Sequence, residues 1–201
     1  MFVRRQIKSG RIYIVGFMGA GKSTLGKKLA NKSGFQFQDI DTLIEEREQK
    51  SINELFNLKG ADYFRKTERE VLHSTNQSIN SVFATGGGTP FFFDNMDWMN
   101  KNGTTIYIRH DEGMLFSRLR ESKSNRPLIG SLSGEDLKKF IFDHLVQREV
   151  FYKKAKLTVE GKDLNVDDVL KRLIFSKKFY VNNHDNATDL PAGKQVHRLI
   201  Y

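Results

Sequence analysis

The residues best suited to chemistry in this chain lie near its start. Gly16-Phe17-Met18-Gly19-Ala20-Gly21-Lys22-Ser23-Thr24 satisfies the pattern G-x-x-x-x-G-K-[ST] in full. Its glycines allow a tight turn whose successive N–H groups converge on phosphate oxygens, and the helix that follows adds its positive end. Lys22 reaches the β- and γ-phosphates of a bound nucleotide, and the Ser23 hydroxyl suits Mg²⁺. The motif names phosphate binding and leaves the reaction open, because kinases, ATPases, GTPases and DNA motors share it.

Further candidates follow in order. Asp39 and Asp41 are two residues apart at the end of a strand, a spacing that puts both carboxylates on one face if the strand persists. One could hold Mg²⁺ through water while the other orients, or takes the proton from, an acceptor hydroxyl; a plain turn-and-cap role is the alternative. Arg65 has Glu68 three residues on, the spacing of a helix-surface ion pair. Gly86-Gly87-Gly88 is entropically unfavourable unless something requires close backbone approach. Arg126 precedes Pro127 in a polar stretch, where an arginine could cover a transferring phosphoryl group. Arg148, four residues before Tyr152, could clamp a carboxylate.

The elements that must position these groups alternate. Short apolar runs at Arg11 to Val15, Phe35 to Ile40, Ser81 to Ala84, Thr104 to Ile108 and Leu157 to Val159 read as strands. Helical spacing follows Lys22, begins again at the Ser51–Glu54 capping box, breaks at Gly60 and resumes to Thr75. Asp94 is expected to cap a short helix to Asn102. Helices are also predicted over Glu112 to Glu121, from Ser133 through Leu145, and over Val166 to Phe175. The alternation argues for a doubly wound α/β domain with a parallel sheet.

Composition sets bounds. The chain has 201 residues, 38% hydrophobic and 28% charged, enough for one globular domain. It has no cysteine, which excludes disulfide frameworks and cysteine metal sites and permits a cytoplasmic location. No apolar run of membrane-spanning length exists, so no membrane association is expected. The formal charge is +9, but the stretch 171–201 concentrates six basic residues against two acidic ones. Such a field attracts anionic metabolites as readily as nucleic acid, and no nucleic-acid partner is expected. Residues 182–201 lack periodicity and read either as a disordered tail or as a docked appendage.

Taken together, GFMGAGKST (16–24), FQDIDTLIEE (37–46), FRKTE (64–68), GGG (86–88), RPLI (126–129) and REVFYKKA (148–155) resemble the shikimate kinases, within the nucleoside-monophosphate-kinase-like P-loop family. The resemblance implies a three-layer P-loop kinase fold with a five-stranded parallel sheet in the order 2-3-1-4-5, flanked by helices and carrying a mobile lid at about 121–134. It implies a kinase domain over 1–180, with an acceptor-binding segment at about 41–75 and a tail over 181–201. The implied reaction joins ATP and shikimate, with Mg²⁺ as cofactor, in a monomer. By the same resemblance Gly19, Ala20, Gly21, Lys22, Ser23 and Thr24 hold ATP, and Ser23 ligates Mg²⁺ with Asp39 acting through water. Asp41 binds the acceptor hydroxyls and assists the attacking one. Arg65 and Arg148 grip the acceptor carboxylate, with Gly86, Gly87 and Gly88 closing the pocket. Arg126 swings in as a catalytic residue with Lys22, and Arg118 or Arg120 stacks on adenine. Gly60-Ala61 stands where the family often has Gly-Glu, and Val150-Phe151 where Pro-Leu is common. A gluconate-type sugar-acid kinase shares the phosphate loop, and a non-catalytic ATP- or RNA-binding module is the reading from another class.

Overall fold

The computed structural model describes residues 10–121, 127–130 and 132–184. Five parallel strands form one sheet: β1 (Arg11–Val15), β2 (Gln36–Asp39), β3 (Ser81–Ala84), β4 (Thr104–Arg109) and β5 (Leu157–Glu160), in the order β2-β3-β1-β4-β5. The helices between them are α1 (Lys22–Ser33), α2 (Ile40–Glu48), α3 (Ile52–Ser74), α4 (Asn95–Asn102), α5 (Glu112–Glu121), α6 (Pro127–Gly130), α7 (Gly134–Tyr152) and α8 (Val166–His184).

Alternation along β1 divides the core. Tyr13 and Val15 face one side, where they join Phe83 and Tyr107 under α2, α3, α4, α5 and α7. Ile12 and Ile14 face the other, with Val82, Ile106 and Ile108 under α1 and α8. A strand buried on both faces must be apolar throughout, which is why Ile12 to Val15 form a continuous run. Two covered faces make three layers, and the carboxyl ends of β1, β2 and β3 emerge together at one edge.

Local sequence explains most helix boundaries. Ser51 closes a full capping box with Glu54, and Ser133 accepts from the Asp136 N–H to start α7. Gly60 does interrupt α3, at φ 80° and ψ 174°, a conformation that side chains resist. The two halves of α3 are thereby turned relative to each other, and the second carries Arg65 and Glu68. Other expectations change. Asp94 sits at the start of α4 without a side-chain cap bond, because its carboxylate is 2.9 Å from Arg69. The helix expected to end at Phe175 runs on to His184, past the domain boundary expected at 180. Within the stretch expected to be a lid, Ile129 of α6 is fully buried in the core. Arg126 and the tail from 185 lie outside the described residues. No helix among the described residues is long and apolar enough to cross a membrane.

Gly60→Ala should lower the unfolding free energy by about 1–3 kcal/mol, the usual cost of forcing a side chain into this region. Urea denaturation of the two proteins would read the difference directly; equal midpoints would show that the kink is not strained.

Candidate active site

The loop between β1 and α1 wraps around its own lysine. Lys22 Nζ donates to the carbonyls of Gly16 and Phe17, at 3.0 and 2.9 Å, drawing the start of the loop against the helix end. Gly21 forms the N-cap of α1 in the left-handed region (φ 90°), a position open to glycine at little cost. It offers no capping side chain, and the first turn of α1 has no acidic residue. The positive end of this helix is therefore left to an anion from outside the chain.

Ser23 Oγ donates to Asp39 Oδ2 at 2.7 Å, and Asp39 Oδ1 accepts the N–H of Asp41 at 3.2 Å. Asp39 is thus the last residue of β2 and the N-cap of α2 at once. The expectation that both aspartates lie on one strand face is corrected here: the strand stops at Asp39, and Asp41 belongs to the first turn of the helix. The cap brings the pair together, where strand alternation does not. The sequence reading missed α2, since a nine-residue helix abutting a four-residue strand offers little periodicity on either side.

Burial, reinforced by the charges of Asp39 and Glu68, pushes the Asp41 carboxyl up to about 6, against the opposing pull of Lys22 and Arg65. Those four neighbours come from α1, β2 and α3, so Asp41 stands where the phosphate side and the arginine side meet.

Arg65 and Glu68 do not form a surface pair. Glu68 is fully buried, holds Arg65 Nη1 at 2.7 Å on Oε2, and accepts from the Thr89 hydroxyl at 2.5 Å on Oε1. The guanidinium lies over the Phe92 ring at 4.1 Å, which fixes its plane. Gly86–Gly88 are small because their neighbours crowd them. A Cβ at Gly86 would come within 3.1 Å of Glu68, Thr89 and Asp41, at Gly87 within 3.1 Å of the Met18 N–H, and at Gly88 within 2.9 Å of Arg65. The close backbone approach expected of three consecutive glycines is present at this turn.

Arg148 comes to the same region from α7. It lies one helical turn before Tyr152, whose hydroxyl donates to the Gly87 carbonyl at 2.5 Å, and its guanidinium is 5.8 Å from the ring of Phe17 in the phosphate loop. Arg65, Arg148 and Lys22 thus border one region, although Arg65 and Arg148 adjoin the cleft through the glycine turn and do not line it. The cleft itself, about 600 Å³, is lined by Gly19, Gly21, Lys22, Ser23, Thr24, Asp39, Asp41, Gly86, Gly87 and Arg118, together with Met18, Thr85 and Glu121, which the sequence reading did not single out. Arg118 Nη1 donates to the Gly19 carbonyl at 3.3 Å, whereas Arg120 turns back over Phe116 of its own helix at 5.7 Å.

Among the described residues, no group of three or more His, Asp and Glu side chains could cage a metal ion. Ser23 and Asp39 nevertheless present hard oxygen donors side by side. That set suits Mg²⁺, which keeps most of its waters and takes few protein ligands where phosphates supply the rest.

A family model described as shikimate kinase matches residues 18–176. A shikimate kinase of Phocaeicola vulgatus is 43% identical over 171 residues, covering 81% of this chain and 98% of the relative. One from Parabacteroides distasonis is 42% identical over 154 residues, 77% of this chain and 89% of that protein. Among solved structures, the shikimate kinase of Bacteroides thetaiotaomicron superimposes with a TM-score of 0.78 at 38% identity, covering 85% of this chain and 99% of that one. The Acinetobacter baumannii enzyme in complex with shikimate gives 0.73 at 30%, covering 87% and 94%. A gluconokinase from Sinorhizobium meliloti shares only the fold, at 14% identity and a TM-score of 0.50 over 92% of this chain and all of that one. The chain belongs to the shikimate kinase family.

Proposed function

We propose that the chain transfers the γ-phosphoryl group of ATP to the 3-hydroxyl of shikimate, giving shikimate 3-phosphate and ADP. Family membership supplies the reaction. The observation that supports it at the level of residues is the crowding of Lys22, Asp41, Arg65 and Arg148 around the Gly86–Gly88 turn, which suits two anionic reactants held end to end. Such a protein contributes mainly alignment and charge neutralisation.

In this reading Lys22 and the amides of residues 19–24 hold the phosphates, and Arg118 flanks the adenine. Ser23 would hold Mg²⁺ directly and Asp39 through water; when bound, the ion would neutralise charge on the β- and γ-phosphates. Arg65, with its plane fixed by Glu68 and Phe92, and Arg148, one helical turn before Tyr152, take the shikimate carboxylate. Asp41 orients the 3-hydroxyl and accepts its proton, and Arg126 neutralises charge on the transferring group. A carboxylate whose pKa is raised towards neutrality is a better proton acceptor than an ordinary one. We take the acting form to be a monomer in the cytoplasm, with which the absence of cysteine is compatible.

The deciding measurement is ADP release from Mg-ATP on adding shikimate, with gluconate as the control acceptor. Turnover with shikimate alone is expected; none, or equal turnover with both, would overturn the assignment. Lys22→Ala should lower kcat by about two orders of magnitude or more. Arg148→Ala should act mainly through binding, raising KM for shikimate by about 10- to 100-fold with a much smaller change in kcat. The sign of the Asp41 shift gives a further outcome. Its active form is the carboxylate, so kcat/KM for shikimate should be flat above a pH of about 6 and fall about tenfold per unit below it. The same raised pKa means that the folded protein disfavours the ionised form. Asp41→Asn should therefore abolish turnover yet raise Tm by a few degrees above pH 6, the gain vanishing towards pH 4.

A further inference from the structure

The amides of a phosphate loop can face an anion only if their carbonyls are turned elsewhere, because the C=O and the following N–H of a trans peptide point in opposite directions. Most of the carbonyls in this loop have an identifiable holder. Those of Gly16 and Phe17 accept from Lys22, and that of Gly19 accepts from Arg118. The carbonyl of Ala20 lies 3.1 Å from Nε2 of His110, a residue ninety positions away that the reaction scheme above does not use.

His110 follows directly after β4, the strand beside β1, and is only 6% exposed. Its ring is seated in space that a glycine leaves: a Cβ at Gly161, just past β5, would fall 2.0 Å from Nε2. Its other nitrogen, Nδ1, is 2.9 Å from the thioether of Met114. A carbonyl oxygen and a thioether sulfur can both only accept, and the carbonyl is much the stronger acceptor, so the single proton of a neutral ring belongs on Nε2. Burial lowers the pKa of His110, so the neutral form with a single N–H suffices. On the loop side, Ala20 is buried and turned away, whereas Gly21, which carries the other half of the same peptide group, lines the cleft.

We infer that His110 is a positioning residue for the nucleotide: its Nε2–H fixes the Ala20–Gly21 peptide plane so that the Gly21 N–H stands ready for a phosphate oxygen. The inference rests on the reading of 16–24 as the ATP-phosphate loop. It gives β4 and the turn after β5 a part in nucleotide affinity through a residue that touches neither reactant. Preorganisation of this kind acts on binding, because a loop already ordered loses less freedom when the ligand arrives.

The test compares His110→Phe, which fills the space without a donor, with His110→Gln, whose amide nitrogen reaches roughly as far as Nε2. Calorimetric titration with Mg-ADP is expected to show binding about tenfold weaker for His110→Phe, in line with the loss of one buried hydrogen bond. KM for ATP should rise in parallel and KM for shikimate should stay within about twofold, with His110→Gln recovering most of the loss. Wild-type affinity in His110→Phe, or equal weakening in both variants, would overturn the inference and leave a packing role. Nitrogen NMR of the unmodified protein is independent of any variant's folding: the Nε2-protonated tautomer is expected at neutral pH, and the Nδ1-protonated form would refute the proposal outright. Failure of the wild-type protein itself to bind Mg-ADP would instead discredit the phosphate-loop reading.

Discussion

One carboxylate joins the two halves of the site. Asp39 takes the Ser23 hydroxyl on one oxygen and the Asp41 N–H on the other, so the start of α1 and the start of α2 are referenced to the same side chain. A phosphoryl transfer tolerates little error in the distance between donor and acceptor, since an offset of about 1 Å can cost two orders of magnitude in rate. Mounting the phosphate loop and Asp41 on a shared hinge point at the end of β2 limits that error with two hydrogen bonds. Arg65 is tied in the same manner through Glu68, and the helix that carries Arg148 is fastened through Tyr152, both at the glycine turn after β3.

The electrostatics of the site are deliberately unbalanced. Asp41 has two acids and two bases as its nearest charged influences, and burial tips the outcome against ionisation. A fold optimised only for stability would not retain a carboxylate in such a place. The buried Glu68 differs, because it is matched by a guanidinium and a hydroxyl, which makes it a structural acid that keeps Arg65 at a fixed angle.

Motif residues were legible in the sequence wherever their function forces a residue type at a fixed local spacing. The phosphate loop, the capping box at Ser51, the start of a helix at Ser133 and the break at Gly60 all belong to that class, as do the five strands. What the sequence could not convey was partnership across long separations. Nothing near Glu68 announces Thr89 as its second partner, and nothing near His110 announces Ala20. Asp94 carried a plausible cap signal, but an arginine from α3 competed for its carboxylate and won. The aspartate pair illustrates the same limit at short range: two-residue spacing is read as strand alternation unless the helix after it is visible, and α2 follows β2 with no intervening turn to mark the change. The strand order followed from family resemblance, since alternation alone specifies a parallel sheet and not its permutation.

Helix α7 has one further consequence. It is a rod of 19 residues, about 28 Å long, that begins at Gly134 and ends at Tyr152, with Arg148 in its last turns and the Tyr152 hydroxyl fastened to the Gly87 backbone. Because a helix transmits displacement along its axis with little loss, a tilt imposed on its first turn becomes a lateral shift of Arg148 near its far end. The segment just ahead of α7, anchored by the buried Ile129 of α6, thus has mechanical leverage over the position of Arg148.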